Sequence, residues 1–198
     1  MVLWDQIKSF MNKAKSALFG PSLIFEVTPR CNLDCLYCYN VWKVAPDYPQ
    51  GELSADEIKV MLARVIGQTC SRHVTFTGGE PLLRDDLEVI ASFLGDNGVS
   101  MTLVTNGTLL TEERAKKLIA AGITMFELPL LAVDSAVHNK LVRKEAFEAT
   151  IDGFANARLA GGRVAAVFVA TDVNLDQWPQ VIDFARALGV EALSFNRF

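Results

Sequence analysis

Residues 22–40 read SLIFEVTPRCNLDCLYCYN, and this segment contains the two signals on which the fold and the site depend. Its first part, 22–27, is a short apolar run that predicts a buried strand. Cys31, Cys35 and Cys38 follow within eight residues, with Tyr37 directly before the last of them. Ligands bind at the carboxyl ends of strands in folds built from parallel strands and helices. A cysteine-rich loop after a strand therefore predicts a site at that end.

Short apolar strands alternate with amphipathic helices through the rest of the chain. The further strands are predicted at 73–77, 100–105, 124–128, 163–171 and 191–198, and the helices at 54–67, 86–94, 111–121, 145–160 and 175–188, with a short one capped by Asp134. Ser54 and Glu57 have the spacing of a capping box at the start of the first of these helices. The alternation predicts an α/β fold of parallel strands covered by helices. An open doubly wound sheet and a closed or partial barrel both fit this pattern.

The composition restricts the class of protein. The chain has 198 residues, of which 51% are hydrophobic and 21% charged, with a net charge of −4. This length suffices for one domain with a substantial core. The charge balance lacks the basic stripe of a nucleic-acid-binding protein, so we expect no nucleic-acid partner. No apolar run reaches the ~18 residues of a transmembrane segment, and we expect a cytoplasmic protein.

The chain divides into two predicted parts. Apolar residues recur at helical spacing in 1–20, which predicts an N-terminal amphipathic helix that ends at Gly20-Pro21. Residues 21–198 form the predicted core domain. The sixth strand has no helix after it, so its apolar face would be poorly covered. We therefore expect this chain to be part of a longer protein.

Three thiols so close together indicate metal chemistry. Thiolates are soft ligands that select zinc, Cu(I) or iron–sulfur clusters. A structural zinc site requires a fourth protein ligand, for which Cys70 or His73 is available. A four-iron cluster held by three thiolates leaves one iron open to a ligand. The spacing favours the cluster over zinc and over buried thiols without metal, and Cys70 is expected to pack in the core or a loop.

Two further loops follow predicted strands. In TGGEP, at 77–81, Gly78 and Gly79 allow a ligand to approach the backbone, and Glu80 offers a carboxylate to an ammonium group. In LVTNG, at 103–107, Asn106 follows the third strand. The alternative interpretations are an ordinary strand–helix turn with a solvated Glu80, and an Asn-Gly turn.

Residues 28–39, TPRCNLDCLYCY, resemble the cluster loop of the radical S-adenosylmethionine (SAM) enzymes, including the aromatic Tyr37 before the last cysteine. The resemblance implies a partial (β/α)6 barrel similar to a TIM barrel, which ends at or near the sixth strand. It implies that the three cysteines bind a [4Fe-4S] cluster whose open iron is chelated by SAM. It also implies that Gly78, Gly79 and Glu80 hold the methionine end of SAM, and that Asn106 lies near its ribose or the substrate.

The activity that the resemblance implies is reductive cleavage of SAM to methionine and a 5′-deoxyadenosyl radical, which abstracts hydrogen from a peptide or small-molecule substrate. The electron would come from a flavodoxin or ferredoxin. The chain is similar to the subgroup that modifies peptides or matures cofactors, although no cysteine follows Cys70 to form that subgroup's cysteine-rich C-terminal domain. The alternatives are a SAM-binding homologue without catalysis and a structural zinc or iron–sulfur module.

The chain departs from the family at 129–132, PLLA, where a run similar to Ser-Leu-Asp-Gly usually ends the fourth strand. Pro129 and Leu131 stand in place of the serine and the aspartate, so we expect a more apolar wall. Lesser candidates at strand ends are Asn174, Asn196 and Arg197, of which Arg197 could meet a carboxylate. His138 and His73 are expected to be structural. Tyr39 and Trp42 either shield the cluster or are solvent-facing loop aromatics.

Overall fold

The computed structural model describes residues 20–40 and 51–198. The predicted N-terminal helix, apart from Gly20, and Trp42 lie outside these residues. The strands are β1 (Leu23–Thr28), β2 (His73–Gly78), β3 (Ser100–Val104), β4 (Ile123–Pro129), β5 (Val164–Ala170) and β6 (Ala192–Arg197). The α-helices are α1 (Ala55–Thr69), α2 (Leu87–Gly95), α3 (Glu112–Ala120), α4 (Ser135–Val142), α5 (Phe147–Leu159) and α6 (Trp178–Ala187).

The six strands form one parallel sheet in the order β1-β2-β3-β4-β5-β6. A doubly wound sheet reverses its strand order at a switch point, whereas the wall of a barrel runs in sequence order. The observed order therefore decides between the two architectures that the alternation allowed. The fold is a partial (β/α)6 barrel, as predicted, and its sheet is open between β1 and β6.

The helices pack against the outer face of the sheet, and the core lies in this layer. Phe76, Phe126, Phe154 and Phe168 are fully buried in it. Alternation along a strand sends successive side chains to opposite faces, so in β2 Phe76 points to the helices and Thr77 to the barrel interior. Because the helices cover the outer face, a binding site can form at the interior face and at the carboxyl ends of the strands.

Local signals set where α1 begins. The Ser54 backbone N–H donates to Glu57 Oε2 at 2.8 Å, and the Glu57 N–H donates to Ser54 Oγ at 3.3 Å. This reciprocal pair is the predicted capping box, and it satisfies donors that the first helical turn leaves without partners. Among the described residues, no helix has the length and apolar character needed to cross a membrane.

Candidate active site

A cavity of about 410 Å³ lies at the carboxyl ends of the strands, and all six strands, or the loops that follow them, contribute to its wall. This volume falls within the range of small-molecule sites. The predicted site residues that line it are Cys31, Cys35, Cys38, Tyr37, Gly78, Gly79 and Asn106. The β6 end contributes Asn196, Arg197 and Phe198. Seven of the eight predicted residues are thus brought to one cavity, and Glu80 lies behind its wall.

The cysteine loop is held from outside by the end of α4. The Leu36 N–H donates to the Leu141 carbonyl at 2.8 Å, and the Cys38 N–H closes a turn on the Cys35 carbonyl at 3.2 Å. Arg143 pairs with Asp34 at 3.1 Å on the surface. All three thiols are partly exposed. The loop therefore presents three soft ligand atoms on a backbone that a neighbouring helix positions.

A small apolar cluster supports the cysteine loop from below. Leu33 packs there with Leu131 and Leu141, and Cys31, Cys35 and Tyr37 contact the cluster. Burial raises the pKa of Tyr37 well above its usual value, and the electrostatic interaction with the neighbouring Cys35 adds a smaller increase.

The cluster also explains the PLLA segment, of which only Pro129 lines the cavity. Leu130 belongs to the main core, and Leu131 lies beneath the cysteines. The expected apolar wall is therefore formed by Pro129 alone among residues 129–132, whereas Leu131 stabilises the cysteine loop.

The two glycines of the second loop are required by a close contact with the first loop. The Gly79 N–H donates to the Thr28 carbonyl at 2.8 Å, and the Glu80 N–H donates to the Arg30 carbonyl at 2.7 Å. A Cβ on Gly79 would lie 2.0 Å from the Arg30 carbonyl oxygen, and one on Gly78 2.4 Å from that of Thr28. Gly78 also has a φ of +130°, which favours glycine. Glycine at both positions thus joins the loops that carry the cysteines and the carboxylate.

The Glu80 carboxylate is fully buried and accepts three hydrogen bonds. Oε1 accepts from the Leu82 N–H at 3.0 Å and the Thr105 hydroxyl at 2.6 Å, and Oε2 accepts from the Asn106 N–H at 2.8 Å. Burial raises the pKa of Glu80, and these bonds oppose the rise. In this arrangement Glu80 ties the loop after β2 to the loop after β3.

Asn106 ties the third loop to the cysteine loop. Its Nδ2 donates to Asn32 Oδ1 at 2.8 Å, and its Oδ1 accepts from the Thr108 N–H at 3.0 Å and the Thr108 hydroxyl at 2.7 Å. Asn32 in turn donates to Thr108 Oγ1 at 2.8 Å. The sequence did not reveal Asn32, because its partners lie more than 70 residues away and leave no local pattern.

Asn40 is a second residue that the sequence did not reveal. Its Nδ2 donates to the Gly78 carbonyl at 2.9 Å, and the residue lines the cavity although it is almost fully buried. Its Oδ1 is a buried acceptor without a hydrogen-bond partner in the part of the chain that the structure describes. An unpaired buried acceptor is costly, and here it lies beside the glycine loop.

The topology separates Cys70 and His73 from the three cysteines. Cys70 caps the end of α1, and His73 begins β2, where its ring contacts the hydroxyls of Ser100 and Thr102. The cysteine loop follows the opposite end of the parallel strand β1. Six residues of strand span about 20 Å, so neither residue can complete a zinc site with Cys31. Within residues 20–40 and 51–198, no three His, Cys, Asp or Glu side chains converge on a single metal ion.

Of the remaining residues that the sequence suggested for the site, some line the cavity and others are buried in the fold. Arg197 and Asn196 are exposed and line the cavity, and so does Tyr39. Asn174 is buried, and its Nδ2 donates to the carbonyls of Leu131 and Val169. His138 is buried with Phe147 against its ring, away from the cavity. Asn174 and His138 are therefore structural.

Comparison with known proteins agrees with this geometry. Residues 25–185 match the family model described as the Radical SAM superfamily. The chain is 34% identical over 177 residues to the AdoMet-dependent heme synthase of Methanosarcina barkeri, covering 87% of this chain and 49% of that protein. It is 33% identical over 174 residues to the probable GTP 3′,8-cyclase of Methanococcus maripaludis, covering 85% and 56%. The chain thus spans about half the length of these curated relatives.

The fold also matches a solved structure. The Streptococcus suis protein SuiB, crystallised with S-adenosylmethionine, superposes with a TM-score of 0.77 at 18% identity. The match covers 98% of this chain and 44% of SuiB. At this identity the likeness concerns the fold.

Proposed function

This chain belongs to the radical SAM superfamily, and from that premise we propose that it binds a [4Fe-4S] cluster through Cys31, Cys35 and Cys38 and SAM beside it. One observation carries the proposal. The three thiols and the backbone of Gly78 and Gly79 line the same cavity, although they follow different strands. The glycines already serve the contact between the two loops, and their place on the cavity wall beside the thiols also lets a ligand approach the backbone.

The residues present fit the two groups. Cysteine thiolates are the usual ligands of iron–sulfur clusters, and Cys31, Cys35 and Cys38 would hold the cluster here. Within residues 20–40 and 51–198 the topology separates Cys70 and His73 from the three thiols, so a four-iron cluster held by these cysteines would keep one iron for SAM. Asn40 Oδ1, which has no hydrogen-bond partner among the described residues, lies beside Gly78 and is an acceptor that suits an N–H group of a ligand.

When bound, the cluster and SAM supply one-electron cleavage of a carbon–sulfur bond of SAM, which yields methionine and a 5′-deoxyadenosyl radical that abstracts hydrogen from substrate. The electron enters from a flavodoxin- or ferredoxin-type donor. The chain's own residues position the groups and exclude water. Leu33 and Tyr37 pack below the thiols, Gly78 and Gly79 admit the amino-acid end of SAM, and Glu80 and Asn106 hold the loops in register.

We further propose peptide modification or cofactor maturation as the context. Two relatives are named as a heme synthase and a probable GTP cyclase, and one structural neighbour was solved with its precursor peptide. Cysteines must be reduced to bind the proposed cluster, so we also propose a cytoplasmic, reducing compartment.

The test is anaerobic reconstitution with iron and sulfide, followed by reduction, addition of SAM and assay of 5′-deoxyadenosine with electron paramagnetic resonance. We expect a four-iron signal that SAM perturbs, and 5′-deoxyadenosine as product. Cys35→Ala should abolish both, whereas Cys70→Ala, which changes a thiol at the other end of the sheet, should retain both. Absence of a four-iron signal in the unmodified chain would refute the proposal.

A second candidate is a SAM-binding homologue without catalysis. Pro129 favours it, because it places an apolar ring on the cavity wall where the family usually has a serine. The same experiment separates the two. A four-iron signal that shifts with SAM while no 5′-deoxyadenosine forms would select this candidate.

A further inference from the structure

Glu127 places a carboxylate on the interior wall of the barrel. It lies on β4, and the strand pairing sets it between Val104 of β3 and Ala165 of β5. Glu127 and Val104 both line the cavity that contains the cysteines. Because residues paired across strands share a face, the side chain of Glu127 has apolar neighbours on both sides.

The carboxylate of Glu127 has no hydrogen-bond donor and no ion-pair partner among residues 20–40 and 51–198. Glu80 differs in this respect, because three donors from the chain satisfy it. Glu127 is partly buried, and burial raises its pKa. Partial removal of a carboxylate from water without a compensating partner costs free energy. A cationic group bound in the cavity would recover that cost through a charge-assisted hydrogen bond.

Glu127 lies on the β4 side of the cavity, away from the thiols and glycines that follow β1 and β2. Phe76, Leu103 and Phe126 pair in register across β2, β3 and β4. Thr77 and Glu127 are the next residues of their strands, so they lie at the same level of the sheet, two strands or about 10 Å apart. The thiols and the glycines follow β1 and β2. The wall on the other side comes from β4, β5 and β6, and it is apolar at Pro129, Val167 and Val169. In the described part of the chain, Glu127 is the one acidic side chain and Arg197 the one basic side chain that line this cavity, and they form no ion pair with each other.

We propose that Glu127 is a specificity-determining residue that binds a basic nitrogen, as an ammonium or guanidinium group, of a substrate with an otherwise apolar body. This inference deepens the proposed function and rests on it, since it concerns the substrate side of the same cavity. SAM also carries a cationic nitrogen and a sulfonium. We place those cationic groups of SAM beside the thiols and glycines that follow β1 and β2. Glu127 lies across the cavity on β4, so we assign its carboxylate to the substrate.

The test uses two matched probes, pentylamine and pentan-1-ol, with cluster-reconstituted protein and saturating SAM under anaerobic conditions. Binding is followed by NMR of protein labelled with 13C at glutamate carboxyl carbons, in which Glu127→Gln identifies the signal by its loss. We expect pentylamine to bind about tenfold more tightly than pentan-1-ol, with a shift of the Glu127 signal. In Glu127→Gln the two probes should bind equally, while the dissociation constant of SAM stays unchanged.

Glu26→Gln is the matched control. Glu26 lies on β1, its pKa is also raised by burial, and it lines a separate hollow with Glu52. This variant should retain the preference for the amine. Equal binding of the two probes to the unmodified protein would overturn the inference. So would a loss of SAM affinity in Glu127→Gln without an effect on the amine, because the carboxylate would then serve SAM.

The two proposals fail in different measurements. Iron content and 5′-deoxyadenosine, recorded on the same preparation, report on the proposed function. The amine preference is an equilibrium binding measurement that requires no cleavage of SAM. Active protein without an amine preference would refute the role of Glu127 alone.

Discussion

The side-chain amide of Asn106 donates a hydrogen bond to Asn32 Oδ1 at 2.8 Å, and this contact joins the loop after β3 to the residue next to Cys31. The side-chain oxygen of Asn106, Oδ1, accepts two hydrogen bonds from Thr108, one from its N–H and one from its hydroxyl. An amide oxygen has two lone pairs, so Asn106 has only one N–H left for a ligand. Asn106 therefore acts as a positioning residue for the cysteine loop.

Alanine at Asn32 or Asn106 is expected to loosen the cysteine loop. Each change should cost about 1 kcal/mol of unfolding free energy and accelerate the loss of iron to a chelator, because the partner's polar atom is left unpaired. In a double-mutant cycle the two effects should be non-additive by a similar amount. Asn97→Ala removes a side-chain bond to the Phe93 carbonyl at the far end of α2. It should lower stability without changing iron release, and equal iron release in all variants would contradict this role.

Gly79→Ala is expected to separate the glycine loop from the cysteine loop. The new Cβ would lie 2.0 Å from the Arg30 carbonyl oxygen, and a backbone atom cannot give way as a flexible side chain does. We expect a loss of about 3 kcal/mol in chemical unfolding and a lower iron content. The matched change is Gly51→Ala, since no other part of residues 20–40 and 51–198 lies within 4 Å of the added Cβ. An unchanged stability of Gly79→Ala would show that the two loops are not in contact.

Glu80→Gln is expected to change both stability and its pH dependence. The glutamine places an amide N–H against a backbone donor, Leu82 or Asn106, so the variant should lose about 1–2 kcal/mol. Affinity for SAM should weaken, because the loop after β2 is less well held, while the cluster remains. Burial raises the pKa of Glu80 above 4.5, so the folded state holds this proton more tightly than the unfolded state.

The stability that Glu80 contributes is therefore greatest below pH 4.5 and falls as the pH rises through its raised pKa. The free energy of unfolding of the unmodified chain, relative to Glu80→Gln, should decline over this window and be constant above it. Urea unfolding at a series of pH values measures this difference. A difference that grows with pH would mean that the carboxylate is stabilised as the anion.

His138 is expected to make the fold acid-sensitive. Burial lowers its pKa from 6.5 to about 4, and neither ring nitrogen has a hydrogen-bond partner within the described ranges. The unfolded state then binds the proton more tightly, so stability is complete above pH 6.5 and is lost as the pH falls towards 4. The loss amounts to ~3 kcal/mol.

His138→Leu should remove most of this acid loss and leave stability at pH 7.5 equal or higher, since two unpaired polar atoms are replaced by apolar ones. Thermal or urea unfolding of both chains at pH 7.5 and 5 provides the comparison. If both chains lost the same stability at pH 5, the protonation of His138 would not be responsible.

Much of the fold followed from local patterns in the chain. The Ser54–Glu57 capping box forms as predicted, and all six strands occur where the apolar runs indicated. Periodicity and capping are properties of neighbouring residues, so a single sequence reveals them. The strand order did not follow from periodicity, because the same alternation fits a doubly wound sheet.

The candidate site was predicted in part for the same reason. The spacing of Cys31, Cys35 and Cys38 and the paired glycines are local patterns, and the structure brings both to one cavity. Asn32 and Asn40 were missed, since their partners lie 74 and 38 residues away. The place of Leu131 beneath the cysteines was missed as well, because its packing partners come from the cysteine loop and α4.

The sequence by itself determined which candidate ligand groups this protein has: three thiols on one short loop, and two adjacent glycines and a glutamate after the next strand. Only the tertiary structure decided how they are used. Parallel pairing of β1 and β2 places Cys70 and His73 at the end of the sheet opposite the three cysteines. Close packing buries the Glu80 carboxylate against donors of the chain, whereas Glu127 lines the cavity. Ligand chemistry belongs to residue types and their spacing, whereas access to a cavity depends on which distant segments pack together.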